Sequence, residues 1–146
     1  INWLGSTIYA LPALMLVVFL FNVGQPLILY TAAIGGIPPV YYEVARLEGA
    51  SSWQRFRNVT LPFVKPTTLY IIVILTIASF QTFAVVQLMT GGGPAYTTTT
   101  IVYQLYKAAF TFGDFGKASA YGVILSLIVA GISVVQYKWM TTDIEF

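Results

Sequence analysis

Residues 67–89 read TTLYIIVILTIASFQTFAVVQLM, 23 positions without a charged side chain. A helix that is apolar on every face has no side to turn to water, so it belongs in a core or in lipid. At about 1.5 Å per residue the run is ~34 Å long, enough to cross a hydrocarbon layer of roughly 30 Å with modest tilt. Working outward, residues 8–33 form another such stretch, and no charge precedes Glu43. This stretch contains Asn22, Gly24, Gln25 and Pro26. Pro26 removes a helical donor and crowds the turn before it, so one span kinked at the proline is expected. Residues 118–137 make a third span of ~30 Å, closed by Lys138 and Trp139. Trp3 and Tyr9 suit an interfacial belt at the start of the first span.

Composition points the same way. Hydrophobic residues make up 58% of the chain and charged residues 8%, where a soluble domain carries about 25% charge. So few charges cannot cover a water-facing surface, and the expected fold class is an all-α polytopic membrane protein. Seven basic and five acidic side chains leave a net charge of +2, too little and too scattered for a nucleic-acid surface. The chain has no Cys, which excludes disulfides and thiol chemistry, and no His, which excludes the usual zinc ligand sets. Neither an initiator Met nor a basic n-region precedes the first apolar run. A signal peptide is therefore not expected, and the chain is expected to start partway through a longer protein.

The segment between the first two spans differs in kind. Residues 38–66 hold Glu43, Arg46, Glu48, Arg55, Arg57 and Lys65, six of the twelve charged residues. Pro38 and Pro39 can open a helix, with Glu43 placed to interact with its positive end, and Gly49 is expected to stop it. Ser51 with Gln54 three residues on reads as a capping box for a second short helix over residues 52–59, which Pro62 closes. Such charges can also do no more than solvate a turn beside anionic headgroups, and Trp53 suits an interfacial anchor.

Residues 90–116 form the other loop. TGGGP at 90–94 cannot continue a helix, residues 101–110 fit a short helix carrying Gln104 and Lys107, and Gly113, Asp114 and Gly116 mark a turn. Four basic residues on the 38–66 side, plus Lys138, outnumber Lys107 and Lys117 on the other. The positive-inside rule then places the 38–66 loop and the C-terminus in the cytoplasm, Ile1 and the 90–116 loop outside.

Residues 43–66, EVARLEGASSWQRFRNVTLPFVKP, resemble the EAA motif of permease subunits of binding-protein-dependent ATP-binding cassette (ABC) importers. Glu43, Ala45, Gly49, Ala50, Phe56, Leu61, Pro62 and Pro66 fall on the pattern. Val44 stands where Ala is usual and Glu48 where Asp is usual. TGGGPAYTT at 90–98, YQLYKAAF at 103–110, GKASAYG at 116–122 and LYTAAIGGIPPVYYE at 29–43 extend the similarity to the carbohydrate-type subfamily. The resemblance implies the C-terminal half of a type I importer transmembrane domain in a bacterial or archaeal inner membrane. It implies a coupling helix in which Glu43, Val44, Ala45, Arg46, Glu48, Gly49 and Ala50 meet a cytoplasmic ATPase, with Phe56, Leu61 and Pro62 packing the loop. It also implies partners: ATPase subunits that hold ATP and magnesium, a second permease in a heterodimer, and an extracytoplasmic solute-binding protein. That protein would meet the outer loops around Gly91 to Gly93, which on residue type alone read as a turn.

No phosphate-binding loop of the G-x-x-x-x-G-K-[ST] type occurs in the chain, so ATP hydrolysis is expected in a partner; no catalytic residue, cofactor or metal site is expected in this chain. Polar side chains inside spans are costly unless they face protein or water. Asn22, Gln25 and Gln81 suit the lining of a path for a sugar or related solute, and equally suit bonds between helices. The residues leave both readings open. They also leave open a secondary transporter, a channel, or a structural membrane subunit.

Overall fold

The computed structural model describes residues 3–141, among which there is no strand. Eight α-helices follow in order: α1 (Ala10–Asn22), α2 (Gly24–Gly35), α3 (Pro39–Leu47), α4 (Ser52–Arg55), α5 (Leu61–Phe80), α6 (Ala84–Met89), α7 (Ile101–Tyr106) and α8 (Phe115–Thr141). Turns of π-helix at Phe56–Thr60 and Lys107–Thr111 join α4 to α5 and extend α7. Three stretches among the described residues are long and apolar enough to cross a membrane: Ala10–Gly35, Ser52–Phe80 and Phe115–Trp139. No more than 11% of the most apolar part of each is buried within the chain. Their surfaces therefore need lipid or other protein as solvent. Placements of Ile1 outside and of residues 142–146 in the cytoplasm lie outside the described residues.

The helix boundaries correct several expectations. The first span is interrupted at Val23 rather than at Pro26. Pro26 has no N–H for the carbonyl of Asn22, four residues back, and so falls in the first turn of α2, where that donor is not needed. Val23 keeps helical dihedrals (φ −70°, ψ −28°). The interruption is thus a lost hydrogen bond, not a reversal.

Pro62 does not close a short helix. Helix runs from Ser52 to Phe80 because the π turn carries the pairing past the proline, with the Leu61 N–H donating to the carbonyl of Phe56 five residues back. This span ends at Phe80 rather than at residue 89. Thr82 bends the chain there: its N–H reaches Ser79 O at 3.4 Å and its hydroxyl donates to Ala78 O at 3.3 Å. The freed carbonyl of Thr82 accepts from the Thr100 hydroxyl at 3.0 Å. Helix α8 begins at Phe115, before residue 118, because Asp114 caps it by accepting from the Lys117 N–H at 2.9 Å. Gly116 is consequently helical rather than part of the turn, while Gly113 (φ +69°) makes the turn.

Two compact units divide the chain: Val23–Ile72, and residues up to 22 together with 73 onward. In the first, one face of the helix from Thr60 through α5 receives three tyrosines. The hydroxyls of Tyr42 and Thr60 share a hydrogen bond at 2.9 Å, the rings of Tyr41 and Phe63 lie 4.9 Å apart, and Tyr30 donates to Thr68 at 3.0 Å. Spacings of three and four residues run from Thr60 to Phe63 and Val64, from Val64 to Thr68 and from Thr68 to Ile71, and Val64 and Ile71 are buried in this stripe.

In the second unit, Leu14 of α1, Val86 of α6 and Tyr103 of α7 form a core with Phe83, Val85 and Met89 against it. Ala108, Ala109 and Ala118 let α7 and α8 approach closely, flanked by Leu105 and Tyr121. Further along α8, Gln136 donates to Thr76 of α5 at 2.8 Å.

Candidate functional site

The polar segment after α2 builds a short exposed helix. Pro38 is extended (φ −58°, ψ 130°) and Pro39 occupies the first helical position, so α3 starts where a proline costs least. It ends in a Schellman motif. Gly49 takes φ +77°, its N–H donates to Arg46 O at 3.0 Å, and the Ala50 N–H donates to Ala45 O at 2.9 Å. Glu43 lies beyond the first turn of α3, so the expected gain from the positive end of the dipole does not reach it. The capping box forms as expected: Ser51 N–H donates to Gln54 Oε1 at 2.7 Å, and Gln54 N–H to Ser51 Oγ at 3.3 Å.

None of the α3 residues is buried. Glu43, Val44, Arg46, Glu48 and Gly49 are exposed, and Ala45 and Ala50 are half-buried. Val44, Ala45 and Glu48 face Gln54, Arg55 and Asn58 across an open cleft of about 510 Å³. The helix therefore presents a charged outer side and a small-residue side bordering a groove. Its attachment to the helix beyond comes through Tyr41 and Tyr42.

Phe56 stacks on Trp53, ring centroids 5.6 Å apart, and Leu61 and Pro62 are exposed. The contacts with α3 are made by Thr60 and Phe63. Neither had a signal in the sequence, because a tyrosine–threonine bond across 18 residues leaves no periodic trace. Gly49 and the prolines were visible because backbone conformation restricts which residue can stand there.

The polar residues of the spans separate. Asn22 closes α1 and donates its amide to Val18 O at 2.7 Å. Gln25 is exposed at the start of α2, and Gln81 is exposed at the break after Phe80. Gln136 and Thr76, not singled out by sequence, form a direct bond between spans. Within the unit holding α1, Ser79, Thr82, Thr98 and Thr100 line a mainly apolar cavity of about 350 Å³ with Leu14, Met15 and Val18.

The loop after α6 is folded tightly. Thr98 donates to Gly93 O at 2.7 Å, Thr99 to Gly92 O at 3.1 Å, and Tyr103 to Gly91 O at 2.6 Å. Tyr96, Phe110 and Phe112 remain exposed, with Lys107 Nζ 5.9 Å and 6.0 Å from the ring centroids of Tyr96 and Phe112. Among the described residues no group of acidic or His side chains could hold a metal ion.

Residues 1–139 match the family described as binding-protein-dependent transport system inner membrane component. A probable ABC transporter permease protein of Brucella suis is 39% identical over 141 residues, covering 97% of this chain and 49% of that protein. The sn-glycerol-3-phosphate transport system permease protein UgpA of Yersinia pseudotuberculosis is 36% identical over 118 residues, 80% of this chain and 40% of the relative. UgpA of Pectobacterium atrosepticum is 33% identical over the same length. The chain spans about half the length of the curated relatives it matches or less.

Proposed function

Because this chain belongs to the family of binding-protein-dependent transport system inner membrane components, we propose that it forms part of the membrane pathway of an ATP-driven importer. The solute is a sugar or a related polyol, including its phosphate ester. The observation that carries the reading is α3: a proline-started, glycine-ended, exposed helix of nine residues between two spans. Held at both ends by backbone restriction, such a helix can act as a rigid lever through which a partner moves the membrane helices. Small side chains at Ala45, Gly49 and Ala50 admit a close partner surface, and Glu43 and Arg46 supply charges at its rim.

In this reading the segment 38–66 lies in the cytoplasm, and two ATPase subunits there bind ATP, hydrolyse it and press on residues 43–49. The helix bundle then alternates between outward and inward access. A binding protein outside delivers solute to the 90–110 region, where Tyr96, Phe110 and Phe112 offer exposed aromatic faces. A second permease, different in sequence, completes the pathway. UgpA names a phosphorylated polyol, and the hydroxyl and aromatic groups here suit the polyol part of such a solute. No basic residue occurs in Ala10–Gly35, so in this reading the charge that meets a phosphate comes from the second permease.

The test is purification of the full-length permease with its companion subunits, followed by ATPase assays with the binding protein loaded with candidate solutes. ATP hydrolysis stimulated by a loaded binding protein, and solute uptake that requires ATP, are the expected results. Uptake driven by an ion gradient without ATP would instead mark a secondary transporter. Unchanged solute preference on replacing the polar residues of the spans would mark a structural subunit.

A further inference from the structure

We propose that Tyr42 is a positioning residue that transmits movement of α3 to the second membrane span through the Thr60 hydroxyl. The inference rests on the importer reading above and says which atoms carry the force. Helix α3 has no buried residue, and an open cleft separates Val44, Ala45 and Glu48 from the helix that follows. Packing along that face is therefore too loose to make the two helices move together. The direct links lie at the margin of the cleft, where Tyr42 meets Thr60 at 2.9 Å and Tyr41, which also lines the cleft, meets Phe63 ring to ring.

These links differ in stiffness. Tyr41 is half exposed and Phe63 is 39% exposed, so their rings can slide past one another with little loss. The Tyr42–Thr60 bond is directional, and Thr60 is only 8% exposed, so breaking it strands a hydroxyl away from water. Thr60 is also the last residue of the π turn, immediately before the 20 residues of α5. A π turn holds the helix by wider, weaker pairing and is the place where it yields most readily. A displacement of α3 delivered at Thr60 bypasses that compliant turn and enters the base of α5. Without the bond, the movement passes through the Gly49 turn, α4 and the π turn, each of which can absorb it.

The experiment uses the intact importer in liposomes and reads solute moved per ATP hydrolysed. Tyr42→Phe keeps the ring and removes the hydroxyl, and Thr60→Val removes its partner. Each is expected to lower the ratio about five-fold, the worth of a typical hydrogen bond, while complex yield stays at the wild-type level. Because both remove one interaction, the double variant is expected to be no worse than either single one. Thr60→Ser retains the hydroxyl and is expected to restore the ratio. An unchanged ratio in Tyr42→Phe, or an equal loss in Thr60→Ser and Thr60→Val, overturns the proposal. A wild-type complex that moves solute without ATP overturns the importer reading and this inference with it.

Discussion

Tyr103 lies across Gly92 so closely that a Cβ added to the glycine would stand 2.7 Å from the tyrosine ring and 2.8 Å from Thr99 Oγ1. Gly92 also has φ +81°, a region that side chains disfavour. The triple glycine is therefore a fitted part of the loop that closes around Tyr103, rather than a flexible spacer. Gly92→Ala is expected to destabilise the loop by roughly 2 kcal/mol, combining backbone strain with overpacking. Limited proteolysis of the membrane-embedded permease reads this as faster cleavage within residues 90–100. Tyr103→Phe loses only the bond to Gly91 O and is expected to cost about 1 kcal/mol. Equal protection of Gly92→Ala and wild type would contradict the fit.

Gly49 presents the opposite case. Nothing stands within 4 Å of its absent side chain, yet φ is +77°. Substitution there strains the backbone without a clash. Gly49→Ala is expected to cost about 1 kcal/mol, and Gly49→Asn less, since Asn tolerates the left-handed region. Both permeases should assemble. ATPase activity stimulated by the loaded binding protein should fall more in Gly49→Ala than in Gly49→Asn, and equal loss in both would point to contact with a partner rather than strain.

Gln136 and Thr76 bond between spans at 2.8 Å, while Gln136 Oε1 is buried without a partner. Thr76→Val leaves the whole amide unpaired in an apolar setting. Gln136→Leu removes the donor and the stranded acceptor together. Thr76→Val is therefore expected to destabilise the permease by about 1 kcal/mol, and Gln136→Leu by less. Thermal unfolding in detergent compares them, and the reverse order would exclude the bond as the reason.

Gln81 is exposed at a break between helices, whereas Asn22 spends its amide on Val18 O of its own helix. On the importer reading, Gln81 is the one of the two whose side chain is exposed to meet a solute. Gln81→Leu is expected to abolish uptake at unchanged assembly and solute-free ATPase activity, and Asn22→Leu to lower uptake only a few-fold. Normal uptake by Gln81→Leu removes it from the solute path.

Much of the architecture was legible because few residue types satisfy its demands. A charge-free run of 23 residues has no soluble solution, Pro38–Pro39 and Gly49 restrict backbone dihedrals, and the Ser51–Gln54 box is a local bond pattern. The departures from the sequence reading are also local in origin. Pro26 and Pro62 each mark a break by residue type alone. A proline withdraws a donor from the carbonyl one turn earlier, so the first interruption appears at Val23. A π turn at Phe56–Thr60 can absorb the second altogether. The second span ends at Phe80 although Phe80 to Met89 is apolar throughout apart from Gln81, Thr82 and Gln87. Hydropathy does not register a hydroxyl that competes for backbone carbonyls.

The sequence by itself determined that this chain lives in a membrane, where its polar helix lies between two spans, and which family it joins. Those properties follow from hydropathy, length and backbone restriction, each a sum over neighbouring residues. Only the tertiary structure decided that Tyr42 meets Thr60, that Tyr103 closes over Gly92, and that Gln136 rather than Asn22 bonds to another span. Such pairings depend on the rotation of each helix about its axis. Helices apolar on all sides carry no face preference in their residue pattern, so that rotation is settled by packing.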